Sequence, residues 1–213
     1  MSRFAAVVAL PLVFVCWFSV VADGVSRLWD YSSAPGQAAI AADSFPNGTT
    51  FEPAGPDGRL LMFLHPKCPC SRASVSELAR ILSAADAPPD TVAVFFTPAD
   101  AGPEWPRTDL WRAAAAIPQV SCIADPGGRL ADQFGAATSG TSLYYDGEGR
   151  RTFSGGVTAG RGHCGDSLGG EALLAALNGV PHGDAAVYGC SLQTPTHAPR
   201  SQLVRADTNG AQQ

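Results

Sequence analysis

The sequence predicts a mixed α/β sheet with helices on both faces, and three observations lead to this prediction. Two continuous apolar runs, at residues 60–65 and 91–97, have the pattern of strands buried on both faces. Each run is followed by a segment with apolar residues at helical spacing, which is typical of parallel strands joined by helical crossovers. Two later runs, at residues 141–145 and 151–154, flank the turn sequence 146–149 and indicate an antiparallel hairpin.

The connecting elements follow in order along the chain. Apolar residues at positions 75, 78, 79, 81 and 82 predict a helix over 71–85, which Pro88-Pro89 ends. We expect a short helix at 107–116, a third parallel strand at 120–124 and a helical turn at 129–134. A last helix is expected at 170–178, with Gly179 as its stop.

The composition limits the number of domains and the kinds of partner that the chain can have. The 213 residues are 46% hydrophobic and 15% charged, which suits one or two folded domains with a real core. The net charge of −5 argues against a nucleic-acid partner, which needs a basic face.

The N-terminus carries an uncharged apolar run at residues 4–22. As a helix it spans about 28 Å, close to the hydrocarbon thickness of a bilayer. Arg3 before it predicts that the N-terminus stays in the cytoplasm and the rest crosses the membrane. The run exceeds the usual signal-peptide core of about 7–15 residues, so an uncleaved anchor is favoured over a signal cleaved after Val20-Val-Ala22. Both interpretations export the remainder.

These patterns divide the chain into four parts. Residues 1–23 form the membrane anchor, or a signal peptide, and residues 24–58 form a stalk rich in Ser, Ala, Gly and Pro. Residues 59–179 form the α/β domain, and residues 180–213 form a C-terminal tail with weak signals.

The candidate site is the sequence Cys68-Pro69-Cys70, where the first strand passes to the first domain helix. The free N–H groups at a helix start lower the pKa of a thiol there, and Lys67 adds a positive charge. Pro69 suits the first helical turn, which needs no donor. We therefore expect Cys68 to be the more exposed, attacking thiol and Cys70 to be its resolving partner, in preference to two structural cysteines.

The whole pattern resembles the thioredoxin-like superfamily, and is closest to membrane-anchored, exported RedB-like and TlpA-like proteins of bacteria. The resemblance covers residues 59–178 and rests on the strand, Cys-Pro-Cys, helix order with the later turns at 125–128, 134–135, 138–141, 146–149 and 153–156. It implies a thioredoxin-like three-layer α/β/α sandwich with a mixed sheet, preceded by one N-terminal transmembrane helix. It also implies that Cys68 and Cys70 are a redox pair needing no cofactor. Its partners would be protein thiols and disulfides on the periplasmic side of a bacterial cytoplasmic membrane.

The sequence departs from the family pattern at two places. One residue separates the cysteines where the family has two, and a bridge across one residue is strained and more easily reduced. Gly140 lies where the family has a cis-proline that helps to dock substrate chains.

A glycine-rich segment at 155–169 contains Arg161, His163, Cys164 and Asp166. Strand direction predicts that it lies at the same sheet edge as Cys68 and Cys70. A third thiol and an imidazole there would suit Cu(I) or Zn, whereas a solvated loop is the plainer interpretation.

The other cysteines and histidines carry weaker signals. Cys16 is interpreted as membrane filler and Cys122 as a small buried hydrophobe. Cys190 is a candidate to bridge Cys164, although sequence does not give connectivity. His65 suits either a core or a site position, and His182 and His197 suit solvated turns.

Two functions follow as hypotheses. The first is an exported, membrane-tethered thiol–disulfide oxidoreductase, and the second is a copper-handling protein that uses Cys68 and Cys70 with His163 or Cys164. A peroxidase is disfavoured because His65 lies where such sites place a threonine. A non-catalytic sensor or scaffold with the same fold stays open.

Overall fold

The computed structural model of the chain describes residues 2–49, 55–180 and 182–193. Most of the predicted tail, including His197, therefore lies outside the described residues.

The described domain is built on a five-stranded sheet in the order β3-β2-β1-β4-β5. Parallel strands β1 (Arg59–Leu64), β2 (Asp90–Thr97) and β3 (Val120–Pro126) form one half. The antiparallel hairpin of β4 (Thr141–Tyr145) and β5 (Arg151–Gly155) adds the other half, with β4 beside β1. The predicted mixed sheet is confirmed, and β1 lies at its centre because its apolar residues are buried on both faces.

Helices cover one face of this sheet. Helices α2 (Ser71–Ala84), α3 (Asp109–Ala115) and α5 (Leu168–Leu177) pack on it. Leu60, Met62 and Leu64 alternate toward this face, as the two-residue period of a strand requires.

The opposite face is covered by α4 (Arg129–Gln133) and by part of the segment that the sequence suggests is a stalk. Residues 34–49 do not hang free, because Phe45 makes edge-on ring contacts with Phe134 and Tyr145. Backbone bonds from Ile40 to Gly135 and from Phe45 to Gly149 fix the same segment on the domain. The stalk interpretation overlooked this packing because the segment has no regular apolar period.

The N-terminal helix α1 spans Ser2–Ser33, which extends beyond the anchor boundary drawn at residue 23. Its exposed part from Pro11 to Ser33 is long and apolar enough to cross a membrane. Asp23 and Arg27, 2.7 Å apart, form an i, i+4 ion pair in the part of the helix beyond the apolar run.

Candidate redox site

The loop between β1 and α2 positions the two predicted cysteines. The Cys68 N–H donates to the His65 carbonyl at 3.0 Å, and the Ser71 N–H donates to the Cys68 carbonyl at 3.2 Å. These turns bend the chain directly from the central strand into the helix, so both cysteines precede the first turn of α2. The Thr108 hydroxyl, at the start of α3, donates to the Pro66 carbonyl and ties the loop to its neighbour.

Cys68 is the more buried of the two thiols, contrary to the expectation from sequence. Only 6% of its surface is exposed, whereas Cys70 is half-buried. Cys68 nevertheless lines a cavity of about 430 Å³ between the loop and α3, together with Pro66, Arg72 and Leu110. The cavity therefore borders the Cys68 residue in spite of its small exposed area.

A third thiol completes the site, and it comes from the segment that the sequence assigns to the tail. The Cys190 Sγ lies 2.8 Å from the Cys68 Sγ, and the sulfurs of Cys68, Cys70 and Cys190 all lie within 4.8 Å of one another. We call Cys68, Cys70 and Cys190 the three-thiol cluster. The pairing of Cys190 with Cys164 considered from sequence is not the arrangement seen, since Cys164 is exposed outside the cluster.

The three thiols differ in acidity. Burial raises the pKa of the Cys68 thiol, but hydrogen bonds from Cys190 and Ser71 lower it by more, so its pKa is below the ordinary value. Burial and the neighbouring Cys68 charge raise the pKa of Cys70. Burial, with the bond to Cys68, raises the pKa of Cys190 to about 12. Cys68 is therefore the thiol that ionises first, and the thiolate is the reactive form.

The backbone of residues 182–193 is held against the domain. The Ser139 N–H donates to the Cys190 carbonyl at 2.8 Å, and the Leu192 N–H donates to the Ala137 carbonyl at 2.9 Å. Together with an antiparallel bridge between Thr138 and Ser191, these bonds pair the segment with the loop before β4. This backbone pairing therefore holds Cys190 beside Cys68.

The loop before β4 also supports the cysteine loop directly. The Ser139 hydroxyl accepts a bond from the His65 N–H at 2.8 Å and lies 2.7 Å from the Ser71 hydroxyl. Gly140 has a φ of +95°, and a Cβ there would lie 2.9 Å from the Ser74 Oγ. Glycine at this position therefore provides both the left-handed backbone and the room for α2 that a side chain would deny.

The supporting residues predicted from sequence lie around this loop. The Lys67 ammonium lies over the Trp105 ring, 4.7 Å from its centroid. Pro69 is exposed and lies in the turn that precedes α2. His65 stacks on Phe96, and burial, with the Lys67 charge, lowers its pKa.

The glycine-rich segment contains four candidate residues, and of these only Arg161 interacts with the site. The Arg161 guanidinium donates to the Gly189 carbonyl, lies 4.9 Å from the Tyr31 ring centroid and opposes the pKa rise of Cys70 and Cys190. His163 is exposed and bonds the Arg161 carbonyl, and Cys164 is exposed. The buried Glu77 carboxylate accepts the Gly165 N–H and Asp166 lies beside Arg80, so this part of the segment lies along α2.

Sequence reasoning missed Cys190 as a site residue. Its segment has no apolar period, and its pairing with residues 137–139 joins positions about fifty residues apart. The only available signal was the number of cysteines, which does not indicate which of them meet in space.

Comparisons with known proteins support the fold. No protein-family model and no curated protein matches the chain. It is similar to the crystal structure of an uncharacterized conserved protein from Geobacillus kaustophilus, at 20% identity and a TM-score of 0.55, over 78% of this chain and 95% of that one. A hypothetical protein from Sinorhizobium meliloti 1021 is similar at 20% identity and a TM-score of 0.53, over 77% of this chain and 96% of that one.

A more distant likeness is to a secreted Mycobacterium tuberculosis disulfide oxidoreductase. It has 12% identity and a TM-score of 0.41, over 59% of this chain and 84% of that one. The strand order, the antiparallel hairpin and the helices define a thioredoxin-like fold, as the sequence predicts.

Proposed function

We propose that the chain is an exported, membrane-tethered thiol–disulfide oxidoreductase in which Cys68 is the attacking thiol. The observation that supports this most directly is the position of Cys68 before the first turn of α2, in contact with a second thiol and with its pKa lowered. A thiolate in that position attacks disulfide sulfurs at neutral pH. The chemistry requires no cofactor.

The reaction is a two-step exchange. The Cys68 thiolate attacks one sulfur of a partner disulfide, forms a mixed disulfide and releases the other partner sulfur as a thiolate. A second protein thiol then attacks the Cys68 sulfur and releases the second partner thiolate, so the partner gains two electrons and the protein becomes a disulfide. The sequence assigns this second attack to Cys70. The reverse sequence oxidises a partner dithiol.

The apolar helix α1 supports the tethering part of the proposal. We propose a single pass through a bacterial cytoplasmic membrane, with the domain on the periplasmic side and with protein thiols or disulfides as partners. Alkaline carbonate washing should leave the full-length chain in the membrane pellet. Recovery of a shortened chain in the soluble exported fraction would instead show a cleaved signal.

The redox function is tested on the full chain in detergent micelles. Equilibration with glutathione buffers should give a reduction potential above about −300 mV, because a stabilised thiolate favours the reduced state. Cys68→Ser should abolish exchange, and Cys164→Ser, which alters an exposed cysteine outside the cluster, should leave the potential unchanged. A wild-type potential below about −300 mV would indicate a structural disulfide and contradict the proposal.

The three-thiol cluster also favours a second function, the handling of Cu(I). Soft thiolate ligands select Cu(I), whereas structural zinc takes four protein ligands and the described cluster supplies three. The ligands would be Cys68, Cys70 and Cys190 rather than His163 or Cys164.

Competition with a Cu(I) chelator tests this second candidate. Cys190→Ser should lower the affinity, while Cys164→Ser and His163→Ala should leave it unchanged. Negligible binding by the wild type would remove the metal function.

A further inference from the structure

We infer that Cys190, and not Cys70, is the thiol that resolves the mixed disulfide on Cys68, so that the working disulfide joins Cys68 and Cys190. The inference rests on the proposed oxidoreductase function and changes the identity of its second cysteine. Three features support it: the contact between the two sulfurs, the way in which Cys190 is held, and the geometry of Cys70.

The first feature is the direct contact. The Cys190 Sγ lies 2.8 Å from the Cys68 Sγ, and the Cys70 thiol also interacts with both of these thiols. A resolving thiolate must reach the sulfur it attacks, and holding reacting groups about 3–3.5 Å apart gives large rate gains. Cys190 has this position before any substrate binds.

The second feature is that the Cys190 backbone is paired with the domain. Its carbonyl accepts the Ser139 N–H, and two residues later the Leu192 N–H donates to Ala137. At the preceding position, the Gly189 carbonyl accepts a bond from Arg161. Three bonds over four residues keep Cys190 at Cys68, which raises its effective concentration there.

The third feature is the backbone at Cys70. Cys70 has helical backbone angles of φ −65° and ψ −30° and caps α2, two positions after Cys68. Side chains two positions apart do not face each other on a helical turn. A disulfide over one intervening residue must therefore distort the start of α2, whereas a bridge to Cys190 joins residues from separate segments with no such constraint.

The electron balance closes within this scheme. The Cys190 thiolate forms a bond to the Cys68 Sγ, the bond between Cys68 and the partner sulfur breaks, and the partner leaves as a thiolate. The partner disulfide is the oxidant, it gains two electrons, and the Cys68–Cys190 disulfide is the oxidised product. Cys70 stays reduced.

The test follows a single turnover of the reduced full chain, in detergent micelles, with oxidised glutathione as the probe. All variants carry Cys164→Ser, because Cys164 and Cys190 lie on the same tryptic peptide, residues 162–200. A Cys68–Cys190 bridge then joins that peptide to residues 68–72, while a Cys68–Cys70 bridge stays within residues 68–72. Mass spectrometry of acid-quenched digests separates the two products and the glutathione adduct on Cys68.

We expect the bridged pair of peptides as the main product in the parent chain. Cys190→Ser should lengthen the lifetime of the Cys68–glutathione adduct by about tenfold or more, and Cys70→Ser by less than about threefold. A bridge confined to residues 68–72 in the parent chain, or equal slowing in both variants, would overturn the assignment of Cys190 and leave the oxidoreductase function standing. Absence of any adduct on Cys68, even in Cys190→Ser, would contradict the proposed function itself.

Discussion

Gly189→Ala displaces Cys190 without removing any thiol, because the backbone at Gly189 lies against the loop before β4. A Cβ at this position would lie 1.9 Å from the Ser139 carbonyl oxygen. Real Cβ contacts essentially never fall below 3.0 Å, so the two chains must separate by about 1.1 Å or more. The bond from the Ser139 N–H to the Cys190 carbonyl, now 2.8 Å long, is then stretched or lost.

The size of the effect follows from the cost of overpacking. Extra methyl groups in packed positions cost about 1–3 kcal/mol. If the docked segment bears this cost, its docking equilibrium constant falls by roughly 5–150-fold, and resolution by Cys190 should slow by up to the same factor. Because Ala185 and Leu192 of this segment pack on the two cores, thermal unfolding of each variant should show that the domain is still folded.

The assay is the decay of the Cys68–glutathione adduct in a single turnover, with Gly183→Ala as the matched control. Gly183 lies in the same segment, and a Cβ there would have no atom within 4 Å. Equal decay in Gly189→Ala and Gly183→Ala would refute the idea that docking of this segment drives resolution.

Two further predictions concern the segments around the site. Phe45→Ala should lower the free energy of unfolding by about 2 kcal/mol, because a half-buried ring loses two edge-on aromatic contacts. Thermal unfolding measures this, and Ile40→Ala, at a position 83% exposed in the same segment, should have little effect. Burial and the Cys68 charge raise the pKa of Cys70 against the opposing charge of Arg161, so Arg161→Met should move Cys70 alkylation to higher pH. Arg150→Met is its control, and no difference between the two variants would exclude a role for the Arg161 charge.

Much of the fold could be predicted from the sequence, because the strands of the sheet are short and strongly apolar. Residues 60–64 and 91–97 have no polar alternation, and only central strands with both faces covered bury such runs. The turn at 146–149 indicated the hairpin, since the Asp146 carboxylate bonds the backbone of Glu148 and Arg150. The packing of residues 34–49 was not accessible, because it depends on single contacts such as Phe45 rather than on a period.

Part of the candidate site was also predictable, because part of its signal is local in the sequence. A cysteine between a buried strand and a helix is a local signal, and this signal located Cys68 and Cys70. The largest contribution that lowers the Cys68 pKa comes from Cys190, which is distant in sequence. The sequence pointed to Lys67, which lies over Trp105, whereas hydrogen bonds from Cys190 and Ser71 lower the pKa against the cost of burial.

The two candidate functions of the cluster exclude each other in any one molecule. A Cys68–Cys190 disulfide consumes two of the three thiolates that Cu(I) would need, so the oxidised chain has no three-thiolate site. A bound metal, in turn, requires deprotonated thiols and removes the Cys68 nucleophile from exchange. Because both proposed arrangements use Cys190, each of them requires residues 182–193 to stay docked on the domain. Both proposals for Cys68 therefore rest on a segment that the sequence suggests is a tail.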